Sequence, residues 1–172
     1  MQTFEAIVNR KGIRNFNEKQ VSLEQLEKIV HAANASPISG GGFRDSARHL
    51  TIIQNEEILN MIVDIAGVNK DGENPLYGAK TLIVISAPEN SFHAEQFDVG
   101  IMAQTILLEA TDLGLNSIVM TGIIPALKEE KIISTLTLPN GYIPFIGVAL
   151  GNTDEETIKS REYRDDNVTY IL

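Results

Sequence analysis

From about Glu95 to Leu113 the sequence carries a helical pattern that is apolar on more than one face. Phe97, Ile101, Met102, Thr105, Ile106, Leu108 and Ala110 all fall within it, and Gly114 ends it. A helix of this kind must be covered on most sides, by a domain core or by a second subunit. It is the longest helix that the sequence predicts, so the rest of the fold has to be built around it.

The other elements are read from local signals. Thr3 to Arg10 reads as a short helix with Phe4, Ile7 and Val8 on one side. Ser22-Leu23-Glu24-Gln25 has capping-box form, and Leu23, Leu26, Ile29, Val30 and Ala33 follow at helical spacing. That helix should stop near Ser36-Pro37, because a residue before proline avoids the helical region. Asn55 can cap a helix carrying Ile58, Leu59, Ile62, Val63 and Ala66. Pro125 suits the first turn of a helix holding Leu127, Ile132 and Ile133.

Leu50 to Ile53, Thr81 to Ile85, Ser117 to Met120 and Ile143 to Leu150 read as strands. Thr81-Leu82-Ile83-Val84-Ile85 is a nearly continuous β-branched run, the mark of a buried central strand. Pro144 inside the last strand points to an edge or a bulge. The fold class is therefore α+β, with about four strands and four or five helices alternating irregularly. No linker divides the 172 residues, a length that suits one domain, residues 1–172. The chain turns polar after Gly151 but finishes Val168-Thr169-Tyr170-Ile171-Leu172, an apolar tail expected to pack on something, a second subunit among the options.

Composition excludes several chemistries. The absence of cysteine removes disulfides, thiolate catalysis and cysteine-held metals, and it suits a cytoplasmic protein. His31, His49 and His93 have no metal-ligand spacing, so no metal is expected. No apolar run reaches the length of a membrane span. The net charge of −9 argues against binding to nucleic acid or anionic membranes.

The cations are nonetheless gathered. Arg10, Lys11 and Arg14 lie within five positions, and Lys159, Arg161 and Arg164 within six near the other end. They form either two solvated patches or a grip for a small anion; arginine suits phosphate through bidentate, charge-assisted bonds. Ser36 to Gly42 contains three consecutive glycines and reads equally as a plain loop or as backbone presented to a ligand. It has neither the Walker lysine nor the strand that precedes a dinucleotide fingerprint. Met120-Thr121-Gly122, just past a buried strand, stands where ligand contacts are common.

Taken in order, these pieces resemble the nitroreductase family of FMN enzymes. Arg10-Lys11-Gly12-Ile13-Arg14-Asn15-Phe16 is similar to its basic opening, Arg-Arg-Ser-x-Arg-x-Phe. Val21 to Pro37 resembles its second helix, and Tyr77 to Val84 its buried strand. Asp98 to Gln104, Leu107-Leu108 and Leu113 to Ser117 are similar to its central helix and the strand after it. Pro139 to Pro144 and Val148 to Gly151 resemble its last strand, and Lys159-Ser160-Arg161 its C-terminal Lys-x-Arg.

The resemblance implies a central, mostly antiparallel sheet flanked by helices in an intertwined homodimer, with FMN in pockets at the interface. It implies that Arg10, Lys11, Gly12 and Arg14 hold the phosphate, ribityl chain and pyrimidine edge, and that Lys159 and Arg161 close on the phosphate. Pro37, Ile38 and Ser39 of the partner chain would line the ring, and the Thr121 and Gly122 amides would lie near its N5. The tail, about 162–172, would pack on the partner subunit. The implied activity is an FMN-dependent, ping-pong oxidoreductase that passes electrons from NADH or NADPH to a nitroaromatic, quinone or flavin. A flavin store or sensor with little turnover, or an FMN enzyme reduced by a protein donor, are the alternatives. Two departures stand out. Gly12 replaces the family's serine, and Gly41 to His49 stands where Asn-x-Gln-Pro-Trp is usual.

Overall fold

The computed structural model describes residues 1–39, 48–88, 94–155 and 166–172. Its elements, in chain order, are α1 (Thr3–Asn9), α2 (Leu23–Asn34), β1 (His49–Ile53), α3 (Glu56–Ala66), β2 (Thr81–Pro88), α4 (Ala94–Asp112), β3 (Asn116–Met120), α5 (Ile124–Leu127), α6 (Glu130–Leu136) and β4 (Tyr142–Gly151). The four strands form one sheet in the order β1-β2-β4-β3, and every pairing is antiparallel. The α+β reading holds.

Side chains alternate across a strand, and that sorts the core into two layers. Leu82 and Val84 of β2, Ile118 and Met120 of β3 and Ala149 of β4 face α3, α5 and α6 through Leu59, Ile62, Leu127, Ile132 and Leu136. Ile83 and Ile85 of β2, with Val148 and Leu150 of β4, face α2 and α4 through Leu26, Ile29, Met102 and Ile106. With helices on both sides, β2 has no solvated face, and Thr81 through Ala87 are all buried. This is why its sequence is a continuous apolar run.

The caps form as the sequence predicts. The Ser22 side chain accepts from the Gln25 amide while the Gln25 side chain accepts from the Ser22 amide. The Asn55 side chain accepts from the Ile58 amide.

One expectation changes. The helix expected from Pro125 through Ile133 is two helices, α5 and α6, with extended backbone at Glu129 between them. The break turns the chain so that Leu127 and Ile132 are both fully buried. The second helix ends at Asn34 with Ala35 as its C-cap, near Ser36-Pro37 as expected. Of the two readings of Pro144, an edge or a bulge, the bulge holds, because β4 is an interior strand. Its register shifts there: Ile85 faces Ile146 and Ser86 faces Pro144, so Phe145 is the extra residue of a bulge. The bulge seats a residue without an N–H inside the sheet.

Candidate functional site

The basic segment begins where α1 ends. Arg10 is the C-cap residue, its backbone N–H donating to Ala6 O at 2.9 Å. Arg10 and Lys11 are half-buried and Arg14 is exposed. None of the three forms an ion pair with a carboxylate among the described residues. In a chain of net charge −9, Arg10 and Lys11, adjacent and without an ion pair among the described residues, leave a local demand for an anion. The Arg14 guanidinium stands 6.0 Å from the centre of the Tyr77 ring, a cation–π distance.

Gly12 pairs as an isolated parallel bridge with Ser117, which places the segment on the outer edge of β3. The Ser117 hydroxyl is buried there without a hydrogen-bond partner. A Cβ added at Gly12 would meet Ile118 Cγ1 and Cδ1 at 3.6 Å, an ordinary contact. Glycine is therefore not required there by local packing.

The chain beyond Arg14 is stitched to the chain beyond β4. Thr153 Oγ1 donates to Asn15 O at 2.7 Å, and Asn17 N donates to Asn152 O at 2.9 Å. Asn17 Nδ2 donates to Asp154 Oδ1 at 2.8 Å, and Asn152 Nδ2 to Lys19 O at 3.1 Å. Asn15–Lys19 and Asn152–Asp154 thus run together. Lys159 and Arg161 lie outside the described residues.

At this seam opens a cavity of about 570 Å³, lined by Arg14, Asn15, Phe16, Tyr77, Gly78 and Glu155, with Glu73 and Asn74 behind them. The size is that of a small-molecule pocket. With Glu73 and Glu155 opposing Arg14, its walls do not suit a dianion. Within the basic segment, Arg10 and Lys11 have no acidic partner among the described residues. Tyr77 itself is held in left-handed backbone at φ 54°, its carbonyl accepting from Phe16 N at 3.0 Å. A bulky residue held there is a strained position of the kind found at binding sites.

Thr121 and Gly122 are exposed and follow β3 directly. The proline loop lies elsewhere. Ser39 N and Oγ both donate to Asp98 Oδ1 of α4, at 2.8 and 2.7 Å. Arg48 donates to Ser36 O at 2.9 Å and Pro37 O at 3.3 Å, and it leads directly into β1. β1 and β3 are opposite edges of the sheet, three strand spacings or about 14 Å apart. Gly12 lies a further spacing out. The structure brings together the basic segment and the approach to Lys159; it does not bring Pro37, Ile38 and Ser39 of the same chain to them. Gly40, Gly41 and Gly42 lie outside the described residues.

Sequence reasoning missed Tyr77, Arg48 and the stitching residues Asn17 and Thr153. It also gave Asp98 no role. Only the pairing of a positive-φ tyrosine with Gly78 left a trace, and it is readable only with the backbone in hand.

The sequence model of the nitroreductase family matches residues 7–152, from inside α1 to just past β4. The chain belongs to the nitroreductase family. A nitroreductase with bound FMN from Desulfitobacterium hafniense is 28% identical and superposes with a TM-score of 0.85, over 100% of both chains. An FMN-dependent nitroreductase from Clostridium difficile is 27% identical, with a TM-score of 0.81 over 99% of both. A relative from Methanothermobacter thermautotrophicus, whose name couples NADH dehydrogenase with NAD(P)H nitroreductase, is 29% identical over 158 residues, 88% of this chain and 77% of its own. The nitroreductase-family fold accounts for the two helical layers, and the matched span includes every predicted site residue except Lys159 and Arg161.

Proposed function

We propose that this chain is an FMN-dependent oxidoreductase that passes electrons from NADH or NADPH to a nitroaromatic, quinone or flavin acceptor in alternating half-reactions. The observation that supports the reading is the seam of Asn15–Lys19 with Asn152–Asp154, which joins the stretch just after Arg10, Lys11 and Arg14 to the stretch that precedes Lys159 and Arg161 in sequence. The FMN and NAD(P)H in the names of its relatives supply the chemistry.

The residues present fit FMN. Arg10 and Lys11, without acidic partners among the described residues, suit a phosphate. Lys159 and Arg161 complete the grip from the other end of the chain. Gly12 offers backbone beside the buried Ser117 hydroxyl. Arg14 puts a positive charge at the pyrimidine edge, stabilising added electron density there. The amides of Thr121 and Gly122, exposed just past β3, would lie near the ring's N5. When bound, FMN supplies the two-electron chemistry; the protein's part is to bind, orient and tune it.

The pocket is shared between two subunits of a homodimer, with Pro37, Ile38 and Ser39 contributed from the partner. One chain presents this loop and the basic segment on opposite sides of its sheet, and a two-fold partner brings them together. Apolar surface supports the dimer. Phe97 and Ile101 of α4 are 71% and 42% exposed, and the tail from Val168 to Leu172 is exposed. An apolar groove of about 350 Å³ along α2 and β1, with Leu23, Leu26, Val30 and Ile52, could seat such a segment. The single domain thus spans residues 1–172, its tail on the partner. No helix among the described residues is long and apolar enough to cross a membrane. A chain with no cysteine fits work in the cytoplasm.

The deciding measurement is the visible spectrum of the purified protein before and after anaerobic NADH or NADPH. Flavin absorption that either nucleotide bleaches is expected. A colourless protein that cannot be reconstituted with FMN overturns the reading. Bound FMN that neither nucleotide bleaches would point to a protein donor, and bleaching without acceptor turnover to a flavin store.

A further inference from the structure

Asp98 is a buried carboxylate, 5% exposed, in an otherwise apolar stretch of α4. Removing a carboxylate from water is costly unless donors and a counter-charge meet it. Here Oδ1 accepts two bonds from one residue, Ser39 N at 2.8 Å and Ser39 Oγ at 2.7 Å. Arg48 works from the other side. It donates to Ser36 O at 2.9 Å, Pro37 O at 3.3 Å and Asp98 O at 3.5 Å. Burial lowers the pKa of its guanidinium and the charge of Asp98 opposes that shift, so the two side chains feel one another. A third tie joins Ser36 Oγ to Thr105 Oγ1 at 3.0 Å, and that hydroxyl donates on to Ile101 O.

A four-residue loop is thus held by its carbonyls, an amide and two hydroxyls. Plain connections are not usually fixed this heavily, since loops make few specific bonds and stay mobile. Between the fixed ends stand Pro37, exposed, and Ile38, half-buried, two side chains with no polar group to satisfy.

We infer that Asp98 and Arg48 are positioning residues, a hydrogen-bonded clamp of one buried carboxylate and one half-buried guanidinium that sets the Pro37–Ile38 wall before the flavin ring arrives. The inference rests on the proposed assignment of that loop to the ring. Neither clamp residue touches the flavin; both act through loop backbone. A preset wall removes the need to order those side chains on binding, which is how preorganisation raises affinity. The clamp is specific to the ring and blind to the phosphate.

The test is to titrate FMN and riboflavin separately into the flavin-depleted full-length protein. Asp98→Ala should weaken both flavins by the same factor, roughly 2- to 12-fold, the scale for re-ordering one side chain. Asp98→Asn retains an oxygen that can accept from Ser39 and should lie closer to wild type than Asp98→Ala. The absorption band of bound flavin should change shape in Asp98→Ala but not in Arg10→Ala, because only the former alters the ring's surroundings. If Asp98→Ala does not fold, Ser39→Ala, which removes one of the two bonds at an exposed residue, should give the same equal-factor loss at smaller size. Loss of FMN affinity alone, or an Asp98→Ala protein that binds both flavins as wild type with an unchanged spectrum, overturns the clamp. Wild type that takes up neither flavin overturns the proposed function instead.

Discussion

The ring of Phe16 lies against the α-carbon of Gly151, so close that a Cβ added there would stand 2.8 Å from Phe16 Cδ1. Phe16 ends the basic segment and Gly151 ends β4, so this contact is the apolar centre of the seam between the two chain ends. Gly151→Ala cannot be accommodated without moving a buried ring. It should cost about 1–3 kcal/mol of stability, the usual penalty of overpacking, read as a lower denaturation midpoint. Weaker FMN retention should accompany it, because the approach to Lys159 and Arg161 shifts with the seam. Full stability would mean that the seam is slack.

If Arg10 and Arg161 grip one phosphate, Arg10→Ala or Arg161→Ala removes a charge-assisted bond of roughly 1.5–3 kcal/mol. FMN affinity should fall about 10- to 150-fold. The two losses should be non-additive, since both residues address one ligand group. Riboflavin, which lacks the phosphate, should be nearly indifferent to both changes. Lys128→Ala is the control: Lys128 is the exposed C-cap residue of α5, not a first-turn residue as its sequence context suggests. Equal losses for FMN and riboflavin would remove these arginines from the phosphate.

Gly12→Ser should fold, because its Cβ meets only ordinary contacts with Ile118 and its φ is not left-handed. It restores the hydroxyl common in the family. One added hydrogen bond contributes about 0.5–1.5 kcal/mol, so FMN should bind about 2- to 12-fold tighter, with riboflavin little changed. Unchanged FMN affinity would place the phosphate away from Gly12.

Dimerisation should respond to both apolar surfaces. Phe97→Asp puts a charge on an exposed, apolar part of α4, and deletion of residues 166–172 removes the exposed tail. Each should shift the mass in light scattering toward the monomer and loosen flavin in parallel. Dissociation with full flavin retention would defeat the shared pocket.

How much of this was legible in the sequence differs by element. Ser22 with Gln25, Asn55, Gly114 and the Thr81–Ile85 run are signals completed within a few residues, so the helix starts and central strand could be read directly. The break between α5 and α6 could not. Lys128-Glu129-Glu130 contains no helix breaker; burial of Leu127 and Ile132 against the same layer turns the chain there. The cations near each chain end were visible as counts, but not the seam that joins Asn15–Lys19 to Asn152–Asp154.

Local chemistry therefore determined most of what each segment is: which stretches are helix or strand, where cations collect, and that this chain resembles one family over nearly its full length. Tertiary structure alone decided what each segment touches. Ser39 and Asp98 are 59 residues apart, and Asn17 and Asp154 are 137 apart. A capping box closes on itself because the bond is shorter than a helical turn. A contact across the sheet exists only once strand order has been set by burying both faces of β2, and no run of neighbouring residues encodes that order.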